Sequence, residues 1–140
     1  MRAKTIMTKQ VITVNKNELI SEAAKKMKDA GVGTVVVEEN GIVEGIITDR
    51  DIVLRNVATN GNPSQVVCGD VMTSNVTTAN PDIDVDEIAD LMSERKIKRV
   101  PIVDRNSVVG MVSLGDISNA KGKKNEAGNT LRDITKQDFR

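Results

Sequence analysis

Apolar residues follow two different periods along this chain, and the switch from one period to the other happens twice. Ile20, Ala23, Ala24 and Met27 fall at i, i+3, i+4 and i+7, as do Val85, Ile88, Ala89 and Met92, which predicts an amphipathic helix in each place. Each helix is preceded by a short extended stretch, residues 11–14 and 76–78. Polar turn formers follow that stretch, Asn15-Lys16-Asn17 and Asn80-Pro81-Asp82. After the helix come Gly31 or Lys96, then a β-branched run at 34–37 or 100–103. A turn at Glu39-Asn40-Gly41 or Asp104-Arg105-Asn106 leads into a second strand ending at Thr48 or Ser113. A last helix starts near Asp49 and Leu114. The predicted order is βαββα, twice.

The two halves are copies. Shifted by 65 residues, residues 7–52 lie over 72–117 without a gap and thirteen pairs are identical, among them Met7/Met72, Thr13/Thr78, Gly45/Gly110 and Asp51/Asp116. The expected class is α/β (α+β), two βαββα repeats packed sheet to sheet with pseudo-twofold symmetry and one shared core, because about fifty residues bury too little apolar surface alone. The expected divisions are 1–59 for the first repeat, 60–70 for a linker, 71–120 for the second repeat and 121–140 for a polar C-terminal tail. That tail carries one short amphipathic segment, 130–137, expected to dock weakly or fray.

Composition narrows the function. Twenty Lys+Arg against twenty Asp+Glu leave no net charge, and the one aromatic residue is Phe139. A nucleic-acid binder ordinarily has a basic excess or stacking aromatics, so nucleic acid is not an expected partner. The chain has no histidine, hence neither the commonest general base nor the commonest zinc ligand, and no nucleophile–base pair stands out. These features argue against an enzyme and against a metal site. With one cysteine, Cys68, no intrachain disulfide forms. No stretch has the length or apolarity of a membrane span or a signal core. The expectation is a cytoplasmic protein. Methionines at helical spacing read as core filler.

One phrase carries candidate chemistry. Each second strand runs into Gly-h-h-Ser/Thr-x-x-Asp, with h apolar: Gly45-Ile46-Ile47-Thr48-Asp49-Arg50-Asp51 and Gly110-Met111-Val112-Ser113-Leu114-Gly115-Asp116. Thr48 and Ser113 fall where helix N–H groups lack partners and favour an anion. Asp51 and Asp116 bring two oxygens each, which suit the vicinal hydroxyls of a ribose. The glycine would let the strand backbone approach a flat base. The competing reading is a helix capping box, which requires no ligand; Thr130/Asp133 and Thr135/Asp138 match the same short pattern. The capping box does not explain the glycine three residues earlier in both copies. Both readings stay open on the residues alone.

This phrase closing a βαββα unit, with Lys98-Arg99-Val100-Pro101-Ile102-Val103 before it and Asp-Val-Met-Thr at 70–73, resembles the CBS domain, and two in tandem resemble a Bateman module. The resemblance covers residues 1–118. It implies a regulatory module without a cofactor that binds an adenosine-type ligand (AMP, ADP, ATP, NAD or S-adenosylmethionine) in clefts between the repeats. Asp51 and Asp116 would then hold ribose, with Thr48 and Ser113 near ribose or phosphate. Thr13 and Thr78 would line the base pocket, and Lys98 and Arg99 beside Pro101 would lie near phosphate. Arg50 and Arg55 are further phosphate candidates. The first repeat has Gly33 and Thr34 in place of Lys98 and Arg99, so two equal sites are not expected. The resemblance also implies a homodimer and an unidentified protein partner that reads the bound state. Leu19, Ile83 and Leu91 are the expected apolar contact surface. The alternative is a structural or interaction protein with empty clefts. A similarity shared with the regulatory insert of inosine-monophosphate dehydrogenase carries no catalytic sequence with it.

Overall fold

The computed structural model describes residues 1–120 and 122–136; Lys121 and residues 137–140, including Gln137 and Phe139, lie outside them. The fold is of the mixed α+β class, and its contacts divide it into two compact units, Val11–Val76 and Met1–Gln10 with Thr77–Arg140. The buried apolar residues form one cluster within each unit. Each unit thus has an apolar core of its own.

In the unit Val11–Val76, β1 (Thr13–Asn15) pairs in parallel with β2 (Thr34–Glu39), which pairs antiparallel with β3 (Ile42–Thr48). Helix α2 (Ile20–Ala30) connects β1 to β2, and α3 (Asp49–Arg55) follows β3 directly. The β2–β3 hairpin turns on Asn40 and Gly41, both at positive φ as a two-residue type I′ turn demands. The other unit repeats this plan with α5 (Val85–Arg95), β4 (Arg99–Asp104), β5 (Ser107–Ser113) and α6 (Leu114–Asn119). Its first strand departs from the expectation. Residues 76–78 form no strand, and a single parallel bridge, Ala79 to Ile102, stands in for it. Lys98 and Arg99 lead into β4, and the proline within that strand, Pro101, is buried against β5 opposite Met111.

Two four-residue helices that hydrophobic periodicity could not predict complete the units. The helix α1 (Ala3–Ile6) belongs to the unit of the second repeat, and α4 (Cys68–Val71), which runs from the expected linker into the first residue of the expected second repeat, belongs to the unit of the first. They occupy equivalent places 65 residues apart. Val85 N–H donates to the Met1 carbonyl and Ile20 N–H to the Val66 carbonyl; Ala3 N–H donates to Ile83 and Cys68 N–H to Glu18. Each leading segment then adds one antiparallel bridge to the sheet, Thr8 to Met111 and Thr73 to Ile46. The duplicated unit thus begins earlier than residue 7, and each copy's leading segment completes the other copy's body. The packing units cut across the division at 59, 70 and 120.

These segments explain the glycine of the repeated phrase. A Cβ on Gly45 would lie 2.5 Å from Met72 Sδ and 2.8 Å from the Thr73 carbonyl oxygen, and one on Gly110 would collide with Met7 Sδ. The glycines make room for a methionine and its neighbouring bridge, in place of the flat base that the sequence suggested.

The C-terminal segment is more than a frayed tail. Helix α7 (Lys124–Thr135) starts six residues before the expected 130 and packs on both α5 and α6, burying Ala127, Thr130 and Ile134. Lys96, which closes α5 at φ 58, donates from Nζ to the Asp133 carbonyl, and Lys123 pairs with Asp86 at 2.8 Å. Among the described residues no helix is long and apolar enough to cross a membrane.

Two measurements check this packing. Gly45→Ala presses on the Thr73 carbonyl oxygen as well as on a methionine, whereas the three atoms nearest a Cβ on Gly110 all belong to the flexible Met7 side chain. Denaturant unfolding should therefore find Gly45→Ala the more damaging, by about 1–3 kcal/mol, the scale of overpacking a filled site; equal or negligible losses would refute the account. Ile134→Ala should cost about 2 kcal/mol or more of global stability. A loss near zero would mean that α7 is dispensable to the unit.

Candidate functional site

The two strand-to-helix junctions are built alike. Thr48 Oγ1 accepts from Asp51 N–H at 3.1 Å, and Asp51 Oδ2 accepts from Thr48 N–H at 2.9 Å. Ser113 and Asp116 form the same reciprocal pair at 3.0 and 2.9 Å. Both are capping boxes with aspartate at the third helical position, and each satisfies one orphan helix N–H and the cap residue's own. The loop before the neighbouring strand reaches over each first turn, so that Asp49 N–H donates to the Gly33 carbonyl and Leu114 N–H to the Lys98 carbonyl. The capping reading of the motif is therefore realised in full. Each capping aspartate still has a second oxygen, Oδ1.

What surrounds that oxygen differs between the junctions. Asp51 Oδ1 lies 3.9 Å from Arg55 Nε, one helical turn on. The Arg55 guanidinium also donates to the Val71 and Met72 carbonyls at 2.9 and 3.2 Å, so this arginine ties α3 to α4 and is not held out for a phosphate. Ala120 takes the place of Arg55 in the other unit, and among the described residues Asp116 Oδ1 has no ion-pair or hydrogen-bond partner. Asp49 adds a second carboxylate at the first junction. Its Oδ1 accepts from Arg50 N–H at 2.8 Å, and its Oδ2 would lie 2.9 Å from a Cβ on Gly33. No side chain fits at Gly33 without displacing that carboxylate. At the equivalent position the second junction has the exposed Lys98, followed by Arg99 directly opposite Ser113 in the β4–β5 pair. Leu114 replaces Asp49 there, so Gly115 N–H has no neighbouring side-chain acceptor of the kind Arg50 N–H finds in Asp49 Oδ1.

The structure thus brings Lys98, Arg99, Ser113 and Asp116 together in one unit, and Thr48, Arg50 and Asp51 together in the other. The cationic pair stands in the unit without Asp49. Arg50 is an exposed side chain beside Asp49. Thr13 lies in β1, where its carbonyl accepts from Lys26 Nζ at 3.0 Å, and the two residues line a shallow groove of about 450 Å³ between β1 and α2. Thr78 is exposed in the segment that lacks strand pairing. Pro101 presents its carbonyl to Ala79 N–H within the sheet. Two participants escaped the sequence reading, Asp49 and the Asp51–Arg55 pair. Both sit at i,i+1 or i,i+4 spacing from the motif, where an acidic or basic residue is too common to stand out.

Cys68 is fully buried and its Sγ faces the Leu19 carbonyl; burial, aided by Glu18, pushes its thiol up to about 11. That is the profile of an inert core cysteine. Among the described residues no three His, Cys, Asp or Glu side chains gather in a way that could hold a metal ion.

Comparison with known proteins agrees with this architecture. The CBS domain family model matches residues 3–57 and 68–123. The CBS domain-containing protein YhcV of Bacillus subtilis (strain 168) is 40% identical over 136 residues, 97% of this chain and 96% of the relative. Among solved structures, the CBS domain pair of protein MJ0100, in complex with 5′-methylthioadenosine and S-adenosyl-L-methionine, superposes with a TM-score of 0.77 at 37% identity, covering 89% of this chain and 98% of that one. A hexameric CBS-CP12 protein from bloom-forming cyanobacteria gives 0.77 at 26% identity, covering 89% and 73%. Two matched domains within one chain, each ending in the same capped junction, make this protein a tandem member of the CBS domain family.

Proposed function

We propose that this chain is a regulatory module, not an enzyme, that binds an adenosine-type nucleotide at the junction of Ser113 and Asp116. The observation that carries the reading is the unpartnered Asp116 Oδ1 in the same unit as Lys98 and Arg99. A carboxylate oxygen that the cap does not use is an acceptor for a ribose hydroxyl, and two cations where β4 begins, opposite Ser113, suit an anionic phosphate chain. At the Thr48–Asp51 junction the corresponding oxygen already faces Arg55, and Asp49 adds negative charge where a phosphate would need the reverse. One unit favours the nucleotide and the other disfavours it. The complex of the MJ0100 domain pair with two adenosine derivatives supports the adenosine part of the reading. The cations here favour AMP, ADP or ATP over S-adenosylmethionine, whose sulfonium is itself positive. Within the same reading the protein is a homodimer, and a protein partner senses the nucleotide-dependent state.

A second reading is supported by the caps and by the methionine packing. Thr48/Asp51, Ser113/Asp116 and both glycines have complete structural roles without any ligand. On that reading the chain is an interaction protein with empty junctions.

Calorimetry with AMP, ADP, ATP, NAD and S-adenosylmethionine, at low and moderate ionic strength, separates the two. The expected result is one tight site per chain, selective for the anionic nucleotides and weakened by salt. No binding of any of the five at millimolar concentration leaves the structural reading standing.

Substitution locates the site. Asp116→Asn keeps an acceptor for the cap but removes the charge, and should weaken binding about 10- to 100-fold, the worth of a hydrogen bond to a charged group. Lys98→Ala with Arg99→Ala should abolish the salt dependence, and Asp51→Asn should leave the tight site unchanged. Equal losses from Asp51→Asn and Asp116→Asn would overturn the assignment to one junction.

A further inference from the structure

The shift of 65 residues lets the hydrogen bonds of the two leading strands be compared one by one. In the first repeat, Thr13, Val14 and Asn15 of β1 face Val36, Val37 and Glu38 of β2. Val36 N–H closes the start of that run by donating to the Ile12 carbonyl at 3.0 Å. Lys16 N–H closes its end by donating to the Glu38 carbonyl at 3.2 Å. In the second repeat the matching donors are residues 101 and 81. Both are proline, which has no N–H to give. Two of the chain's three prolines, Pro81 and Pro101, stand at these two positions.

The bonds that remain centre on one residue. Ala79 N–H donates to the Pro101 carbonyl at 3.1 Å, and Val103 N–H donates to the Ala79 carbonyl at 2.8 Å. The register is unchanged, since Ala79 bridges Ile102 as Val14 pairs with Val37. The surroundings of Pro81 are unchanged too. Its carbonyl accepts from Lys4 N–H at 3.0 Å, as the Lys16 carbonyl accepts from Gly69 N–H at 2.8 Å. What is lost is thus what the prolines forbid, and Thr77 and Thr78 make no backbone hydrogen bond to any described residue. Packing follows the same direction. Val14 is buried in the core of its unit, whereas the smaller Ala79 is half-buried at the margin of the other core.

We propose that residues 76–79 are a release segment, which detaches from β4 by local opening while the unit around it stays folded. The chain passes between its two compact units twice, at 10/11 and at 76/77, nearly matching points of the repeat. After the first passage it enters a strand bonded at both ends. After the second it runs through Thr77 and Thr78 to a single anchor at Ala79. Opening there breaks two hydrogen bonds and uncovers one small side chain, whereas opening β1 uncovers Val14 and breaks the bonds of Ile12 and Lys16 as well. A pull on the second passage is taken up by this segment before either core is disturbed. The segment opens in the ligand-free chain, whatever the junction of Ser113 and Asp116 binds.

Native-state hydrogen exchange of the full chain, read residue by residue by nuclear magnetic resonance, tests this. The Ala79 amide should exchange at a rate insensitive to low denaturant, while the amides of the β4–β5 hairpin speed up with it. Pro101→Val combined with Pro81→Lys, the residues of the first repeat, restores both donors. It should raise the protection of Ala79 about 10- to 100-fold, the worth of two ordinary hydrogen bonds. Pro81→Lys alone, at a half-buried turn position, leaves the core untouched and should raise it about 3- to 10-fold. Ala79 protected in the parent as strongly as the hairpin would overturn the proposal. So would a folded variant, double or single, in which the protection of Ala79 does not rise.

Discussion

Everything in this protein follows from how little apolar material each copy of the repeat has. About fifty residues with no aromatic side chain among the described residues cannot cover both faces of a small sheet. Each copy solves the shortage with a segment from outside its own βαββα body. Ala3 to Thr8 closes the sheet of the second repeat, and Cys68 to Thr73 closes that of the first. The donated methionine lies against the strand where only glycine leaves space. Gly45 and Gly110 are thus set by packing, and the exchange of segments makes the fold of each copy depend on the chain of the other.

That dependence changes what the repeated phrase means. Read along the chain, Gly-h-h-Ser/Thr-x-x-Asp looks like one device. In the folded protein it is two devices in series. The glycine belongs to the methionine packing, and the hydroxyl and aspartate belong to the cap of the following helix. Neither of them calls for a ligand. The argument for a binding site therefore moves from the motif to its surroundings, where the copies differ: Ala120 against Arg55, Leu114 against Asp49, and Lys98 against Gly33. Chemistry that duplication preserved is structural here, and chemistry that diverged is what distinguishes the two junctions.

The class of fold was legible because periodicity and the internal repeat both report burial directly. Ile20 to Met27 and Val85 to Met92 are apolar every third or fourth residue for the same reason that they are buried in α2 and α5. The capped junctions were legible too, since a Ser/Thr-x-x-Asp cap is local and its partners are three residues apart. Three things were not. Helices α1 and α4 are too short for a period, and their hydrogen bonds go to residues far along the chain, such as Ala3 to Ile83. The strand expected at 76–78 has the β-branched composition of β1 but makes one bridge where β1 makes a run of three paired residues. The length of α7 was hidden because Lys124, Asn125 and Gly128 read as a polar, glycine-dotted tail, while its stability comes from the tertiary contacts of Ala127 and Ile134.

A duplicated domain begins with two equal faces and two equal junctions, and any difference between them must be maintained by specific side chains. In the unit of the second repeat, α7 spends an apolar helical stripe on the face of α5 and α6, and the junction there has the cations and the unpartnered carboxylate oxygen. In the unit of the first repeat, Arg55 and Asp49 occupy the junction, and the apolar residues Val53, Leu54 and Val57 are turned outward instead. The same short helix, α3, does both things there. Its first turn carries the carboxylates of Asp49 and Asp51, and its later residues Val53 and Leu54 are exposed. The two copies have diverged in charge at the junction and in the apolar surface of the helix that follows it.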